Sequence, residues 1–186
     1  MRVRTDESIL LVIDVQDRLI HTIHEHQTVV ENIKALIKTA QILHLPVLAT
    51  EQEKLGPIVS QLQVLLPDDL TFQKVNFSCC ADSAFMRELS QMRKRTVIIC
   101  GIETHICVLQ SVLDLLTHHY NVLLVRDATS SHALIDRETA IERMRDAGTM
   151  IATTEAVIYE LTEKAGTEDF RKILELVKER RRLLST

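Results

Sequence analysis

The sequence contains no tryptophan, and aromatic residues occupy only 3% of its 186 positions. A core without large rings has to be built from aliphatic side chains, which agrees with an overall hydrophobic content of 46%. Only four glycines and three prolines punctuate the chain, and no repeat, low-complexity tract or linker divides it. This length and composition predict one domain covering residues 1–186.

Two kinds of apolar segment are also missing. No stretch approaches the roughly 20 apolar residues that a transmembrane helix needs, so no membrane partner is expected. The first eight residues, MRVRTDES, contain acids and no apolar run, so no signal peptide is predicted. A net charge of −4 argues against a nucleic-acid partner, because phosphate binding requires a basic face.

Cysteine is scarce, and no pair of cysteines forms a CxxC arrangement. The four residues are Cys79, Cys80, Cys100 and Cys107. Because adjacent cysteines make a poor structural disulfide, Cys79 and Cys80 are expected to be reduced. Reduced thiols are typical of the cytoplasm, which is the predicted location.

What the sequence does contain is an alternation of short β-branched runs with longer amphipathic segments. Strands are predicted at 8–15, 46–50, 71–76, 96–101, 121–128 and 149–155. Helices are predicted at 29–44, 81–93, 104–119, 136–148 and 167–184. Nearly continuous apolar strands that alternate with helices predict an α/β fold with a parallel sheet covered on both faces.

Such a doubly wound sheet binds ligands at the carboxyl ends of its strands, where the strand order reverses. With the order 3-2-1-4-5-6, Asp14 at the end of the first strand and Cys107 after the fourth would share one crevice. Cys107 is also predicted near a helix N-terminus, which lowers the pKa of a thiol and offers N–H groups to an oxyanion. Lys74, at the end of the third strand, adds a positive charge. The pattern predicts a nucleophile, a general base and an electrostatic partner.

Each of these three residues also has an ordinary structural interpretation. A cysteine on an apolar helix is often a small core residue, and an aspartate at a strand end often caps a turn. A lysine at the end of a strand is often solvated. Two further functions therefore stay open: a non-catalytic protein that binds a small molecule or regulates a partner, and a thiol redox protein that uses Cys79 or Cys80 against Cys107.

Several blocks of the sequence, taken together, resemble the isochorismatase-like cysteine hydrolases, in particular the small isochorismatase domain-containing branch. They are LLVIDVQ (10–16), EKLGPIV (53–59), KVNFS (74–78), CGIETHICVLQSVLDLL (100–116), VRDATSS (125–131) and RMRDAGTMIATTEAVIYEL (143–161). The resemblance covers nearly the whole chain. It implies a three-layer α/β/α fold with a six-stranded parallel sheet.

The resemblance also implies a site. The catalytic triad of the family falls on Asp14, Lys74 and Cys107, and a cis peptide bond is expected between Ile102 and Glu103. The backbone N–H groups of Glu103 and Cys107 would form the oxyanion hole. The implied activity is hydrolysis of a small amide-like substrate at a C–N bond through a thioester intermediate, by a protein that forms a homo-oligomer.

The sequence departs from two branches of this family. The isochorismatases proper lack the cysteine and hydrolyse a vinyl ether, so the presence of Cys107 argues against that reaction. The nicotinamidase branch carries a metal site after the second strand, whereas ATEQEKLG at 49–56 has no histidine. No metal and no cofactor are therefore expected. Residues near the crevice are predicted substrate contacts: Gln16, Thr50, Gln52, Phe77 and His132.

Overall fold

Six strands form one all-parallel sheet in the computed structural model, which describes residues 2–185. The strands are β1 Ser8–Ile13, β2 Val47–Gln52, β3 Thr71–Lys74, β4 Thr96–Ile102, β5 Asn121–Ser130 and β6 Met150–Ala152. Their order is β3-β2-β1-β4-β5-β6, so the predicted topology is confirmed. β1 and β4 are neighbours, with Ile13 opposite Gly101, and the reversal point lies between them.

Helices cover both faces of this sheet and complete a three-layer α/β/α fold, as predicted. They are α1 Asp17–Ile20, α2 His26–Ile42, α3 Ser60–Gln63, α4 Ser83–Gln91, α5 Leu109–Thr117, α6 Leu134–Asp146, α7 Thr154–Thr162 and α8 Glu168–Leu184. Within residues 2–185, no helix is long and apolar enough to cross a membrane. That residues 1–186 form a single domain stays a prediction.

The core is divided between the two faces of the sheet, because successive residues of a strand point to opposite sides. Leu10 and Val12 of β1 belong to a buried cluster with α2, α7 and α8. Ile9, Leu11 and Ile13 belong to a second cluster with α4, α5 and α6. All six residues of β1 are buried, so this strand fixes the position of whatever follows Ile13.

The end of the sixth strand was predicted wrongly. The strand was expected at 149–155, but β6 has only three residues, and a helix begins at Thr154. The side chain of Asp127 accepts a hydrogen bond from the N–H of Thr154 at 2.7 Å, which stabilises the start of this helix. The β-branched residues Ile151, Thr153 and Thr154 favoured a strand and obscured the helical spacing of the buried residues that follow.

Candidate active site

Asp14 is the first residue after β1, and its backbone has a positive φ of +51°. An aspartate tolerates this left-handed conformation better than most residues, and here it turns the chain out of the sheet. The side chain is buried, with both carboxylate oxygens bonded. Oδ1 accepts a hydrogen bond from Thr50 Oγ1 at 2.7 Å, and Oδ2 accepts one from Lys74 Nζ at 2.7 Å.

Lys74 is the last residue of β3, and only 1% of its side chain is exposed. Burial acts to lower the pKa of this lysine, but the negative charge of Asp14 and its hydrogen bond outweigh burial, so the pKa is raised. Lys74 therefore stays protonated and forms a buried ion pair with Asp14.

Gly101 allows β4 to approach the end of β1. Its φ is +124°, and a Cβ atom built on it would lie 2.1 Å from the carbonyl oxygen of Ile13. No residue with a side chain fits here, because that contact is with backbone. The close approach brings the turn that follows β4 next to Asp14.

Cys107 lies in this turn, a π-helical segment from Thr104 to Val108 that continues into α5. The residue is only 7% exposed, and the Asp14 carboxylate and the Lys74 ammonium group both act electrostatically on its thiol. Burial raises the pKa of the thiol, and the charge of Asp14 raises it further, while Lys74 lowers it. The helix N-terminus was expected to lower this pKa, but the pKa is raised, because burial and the carboxylate together outweigh Lys74.

The backbone before Cys107 has an unusual shape. The peptide bond between Ile102 and Glu103 is cis, and the carbonyl of Glu103 accepts hydrogen bonds from the N–H groups of Ile106 and Val108, at 3.1 and 3.2 Å. The N–H of Cys107 lies between these two donors along the chain. An oxyanion hole made by the N–H groups of Glu103 and Cys107 stays a prediction.

The residues at the end of β5 hold this turn, a role that the sequence analysis missed. Thr104 Oγ1 and Thr129 Oγ1 are 2.9 Å apart, and Thr129 donates to the carbonyl of Gly101 at 2.8 Å. His105 Nδ1 lies 2.9 Å from Ser131 Oγ. The signal in the sequence was the hydroxyl run TSS at 129–131, at the carboxyl end of a strand that neighbours β4.

The five predicted substrate contacts occupy different positions. Thr50 bonds to Asp14, and Gln52 Oε1 accepts a hydrogen bond from Lys74 at 2.8 Å. Gln16 is buried and bonds to the backbone of Gln52. Phe77 is half-exposed after β3, and the N–H of His132 donates to the Glu103 carboxylate at 2.8 Å. As contacts to a substrate, all five stay predictions.

The thiols of Cys79 and Cys80 lie next to the candidate site. Cys79 is buried and accepts a hydrogen bond from Ser111 Oγ at 3.2 Å. Burial raises the pKa of Cys79 to about 11 and that of Cys80 to about 12, so both are protonated at neutral pH. Thiol exchange requires a thiolate, so neither is activated as a redox cysteine in this geometry.

A metal site would need several ligands close together. Over residues 2–185, no three side chains of histidine, cysteine, aspartate or glutamate are grouped so that they could hold an ion. The candidate site offers one carboxylate, and a lysine already occupies it. The chemistry of this donor set is that of acid–base and nucleophilic catalysis.

Comparisons with known proteins show which family this chain is similar to. The family model described as "Isochorismatase domain" matches residues 8–156. Isochorismatase domain-containing protein 2 of Macaca fascicularis is 37% identical over 181 residues, which cover 96% of this chain and 86% of that protein.

Two solved structures share the fold. One, described as MAR1 ribonuclease from Caenorhabditis elegans, has a TM-score of 0.89 and 33% identity, covering 95% of this chain and 92% of that one. The other, the YcaC gene product of Escherichia coli, is described as an octameric hydrolase of unknown specificity. Its TM-score is 0.90 at 24% identity, covering 100% of this chain and 95% of that one. At that identity the likeness shows the fold alone.

Proposed function

Because the chain belongs to the isochorismatase family, we propose that it is a cysteine-dependent hydrolase that cleaves a C–N bond of a small amide-like substrate. One observation carries the proposal. The buried ion pair of Asp14 and Lys74 acts electrostatically on the thiol of Cys107, in the turn that follows β4. These three residues are of the types that serve as a nucleophile, a base and a fixed charge, and they influence one another electrostatically.

The proposed reaction has two halves. Asp14 takes the proton of Cys107 while the sulfur attacks the carbonyl carbon, and the N–H groups of Glu103 and Cys107 hold the oxyanion. Asp14 then gives the proton to the leaving amine, which departs and leaves a thioester on Cys107. A water molecule transfers a proton to Asp14 and attacks the thioester carbon, the C–S bond breaks to release the acid, and Asp14 returns the proton to the sulfur of Cys107. The raised pKa of Cys107 supports proton removal during attack rather than a standing thiolate.

Phe77 and His132 are proposed to contact the substrate, together with Gln16, Thr50 and Gln52. The half-exposed ring of Phe77 follows the strand that ends in Lys74, and the backbone of His132 is bonded to the side chain of Glu103.

We further propose that the protein forms a homo-oligomer, in line with the octamer described for the E. coli structure, and that it is located in the cytoplasm. Light scattering on the purified protein gives the assembly state.

Turnover and covalent capture test the proposed function together. The native protein is incubated with a panel of small amides, and mass spectrometry follows both the acids released and any adduct on Cys107. Cys107→Ala should abolish both. Asp14→Asn should abolish turnover but speed alkylation of Cys107 by iodoacetamide, because the charge that disfavours the thiolate is gone. A folded Cys107→Ala protein with native turnover contradicts the proposal.

The same preparations separate the alternatives. A protein that only binds a small molecule would be stabilised by one of the amides without turnover. A redox protein would form a reversible disulfide between Cys107 and Cys79 or Cys80 after treatment with hydrogen peroxide. Degradation of single-stranded RNA that survives Cys107→Ala would point to the activity named for the C. elegans protein.

A further inference from the structure

The ammonium group of Lys74 has three N–H donors, and three acceptors surround it. They are Asp14 Oδ2 at 2.7 Å, Gln52 Oε1 at 2.8 Å and the carbonyl of Asn76 at 3.3 Å. All three donors are therefore engaged by residues of the described chain. In this geometry Lys74 has no donor left for a substrate, and its influence on Cys107 passes through its charge and through Asp14.

Gln52 is itself held at every polar atom. Its side-chain amide donates to the carbonyl of Val75 at 2.6 Å while Oε1 faces Lys74. Its backbone N–H donates to Gln16 Oε1 at 2.8 Å, and its backbone carbonyl accepts from Gln16 Nε2 at 3.0 Å. Apart from its bond to Lys74, the side chain of Gln52 is thus held by the carbonyl of Val75, and its backbone is held by Gln16.

Beyond the end of β1, the side chain of Gln16 makes the hydrogen bonds to β2 that a neighbouring strand would otherwise make. The last rung between β1 and β2 pairs Ile13 with Thr50, after which Asp14 turns the chain away. The buried amide of Gln16 then bonds both the N–H and the carbonyl of Gln52, as a paired strand would. The end of β2 stays fixed although β1 has left the sheet.

We propose that Gln52, clamped by the side chain of Gln16, is a positioning residue that holds Lys74 on Asp14 and keeps its ammonium group away from the substrate. This inference rests on the proposed function, since it assigns Lys74 a role at the same site. It predicts that the thiol of Cys107 responds to Gln52, a side chain that bonds to Lys74 and to neither Cys107 nor Asp14.

The test measures alkylation of Cys107 by iodoacetamide between pH 7 and 10, followed on the peptide that carries the residue. Gln52→Leu leaves one ammonium donor of Lys74 without an acceptor, which loosens the hold on the ammonium group and weakens the positive charge that favours the thiolate of Cys107. We expect the rate profile to move by about one pH unit toward higher pH, so that alkylation at a given pH slows about tenfold. The matched control is Gln73→Leu, on the exposed residue before Lys74, which should follow the native profile.

The hydrogen bonds from the side chain of Gln16 go to the backbone of residue 52, so the Gln52→Leu variant retains them. Should that variant not fold, Gln52→Asn keeps a polar amide whose oxygen is one methylene too short to reach Lys74, and the same shift is expected. If the Gln52 and Gln73 variants share one profile while Asp14→Asn speeds alkylation, the positioning role is wrong and the proposed function stands. If Asp14→Asn also leaves the rate unchanged, the acid and the thiol do not interact, and the proposed function fails with it.

Discussion

Two aspartates in this molecule, Asp14 just after β1 and Asp127 within β5, each accept hydrogen bonds from a threonine hydroxyl and a basic side chain. In the first, the Asp14 cluster of Asp14, Thr50 and Lys74, a threonine hydroxyl donates to Oδ1 and a lysine to Oδ2. The lysine and the aspartate side chains are each only 1% exposed. The thiol of Cys107 lies beside the carboxylate.

In the second, the Asp127 cluster of Asp127, Thr154 and Arg180, the threonine hydroxyl donates to Oδ1 at 2.9 Å and the arginine donates to Oδ2 at 3.2 Å. Here the Asp127 side chain is 30% exposed and that of Arg180 is 10% exposed. Arg180 lies on α8 and Thr154 begins α7, so the cluster joins both helices to β5.

The two clusters differ in which basic residue they contain, in how far water reaches the aspartate, and in whether a thiol lies nearby. Arginine stays protonated at any ordinary pH and forms a permanent tether, which suits a contact that holds a helix. Lysine is a compact charge whose protonation responds to burial and to neighbouring groups. One hydrogen-bonding pattern can therefore hold helices where water reaches it and, under the proposed function, take part in catalysis where it is buried beside a thiol.

Removing the cation of the Asp14 cluster should have the largest effect. Lys74→Met leaves Asp14 buried without its partner, and breaking a buried pair in this way costs about 3–5 kcal/mol of unfolding free energy. Adding Asp14→Asn should recover part of that loss, because a neutral amide needs no cation. Urea unfolding measures both variants, with Lys178→Met, an exposed lysine, as the control. A loss no larger than that control would show that the pair does not stabilise the fold.

The two threonines provide a matched pair of substitutions. Thr50→Val and Thr154→Val each remove a hydroxyl that donates to a carboxylate, a bond worth about 1.5–3 kcal/mol. The loss should be smaller at Thr154, since its N–H still bonds to Asp127. Only Thr50→Val should slow the alkylation of Cys107, because Asp14, with one donor fewer, holds the thiol proton more tightly. Equal alkylation rates in both variants would remove the functional distinction between the clusters.

Removing the cation of the Asp127 cluster should have a smaller effect than removing Lys74. Because water reaches Asp127, Arg180→Met should cost about 1–2 kcal/mol, between the values typical of exposed and buried pairs. Alkylation of Cys107 should be unchanged. Arg182→Met, on an exposed residue of the same helix, is the control for urea unfolding. An altered alkylation rate in Arg180→Met would mean that the two clusters communicate.

Much of this architecture could be predicted from the sequence, because parallel strands alternate with helices and their order fixes which ends meet. Asp14 and Lys74, 60 positions apart, were expected at one edge of the sheet, and their side chains are 2.7 Å apart. α7 was missed although Thr154, Val157, Ile158 and Leu161 are buried at helical spacing. A preference for β-branched residues in strands outweighed that spacing.

Other parts of the site could not be predicted in this way. The clamp between Gln16 and Gln52 depends on the positive φ of Asp14, a local conformation that no spacing of residues announces. The raised pKa of Cys107 depends on the degree of burial in the folded turn, which the pattern of apolar residues does not quantify. Topology determines which residues meet, and the three-dimensional packing then determines their hydrogen bonds and protonation.

The pH dependence of the unfolding free energy should be the smallest effect. The two clusters should differ in direction, because one should lose stability as pH rises and the other as pH falls. The pKa of Lys74 is raised above its ordinary value of 10.5 in the folded protein. A raised pKa contributes stability that is complete below the unfolded value and is lost as pH rises through the folded value. The stability gap between the native protein and Lys74→Met should therefore narrow above about pH 10.5. The buried thiols are common to both proteins and largely cancel in this difference.

The loss of stability at acidic pH tests the lowered pKa of Glu155, a residue that bonds to Arg180 of the Asp127 cluster. Its hydrogen bond from Arg181 and the charges of Arg181 and Arg180 lower its pKa below the ordinary value of 4.5. A lowered pKa contributes stability that is present above the unfolded value and is lost as pH falls through the folded one. The gap between the native protein and Glu155→Gln should narrow below pH 4.5 and stay constant in alkaline solution. Urea unfolding in both pH ranges tests this distinction. It would be contradicted if the stability differences for Lys74→Met and Glu155→Gln both narrowed at alkaline pH or both at acidic pH, because Lys74 and Glu155 would then not titrate independently.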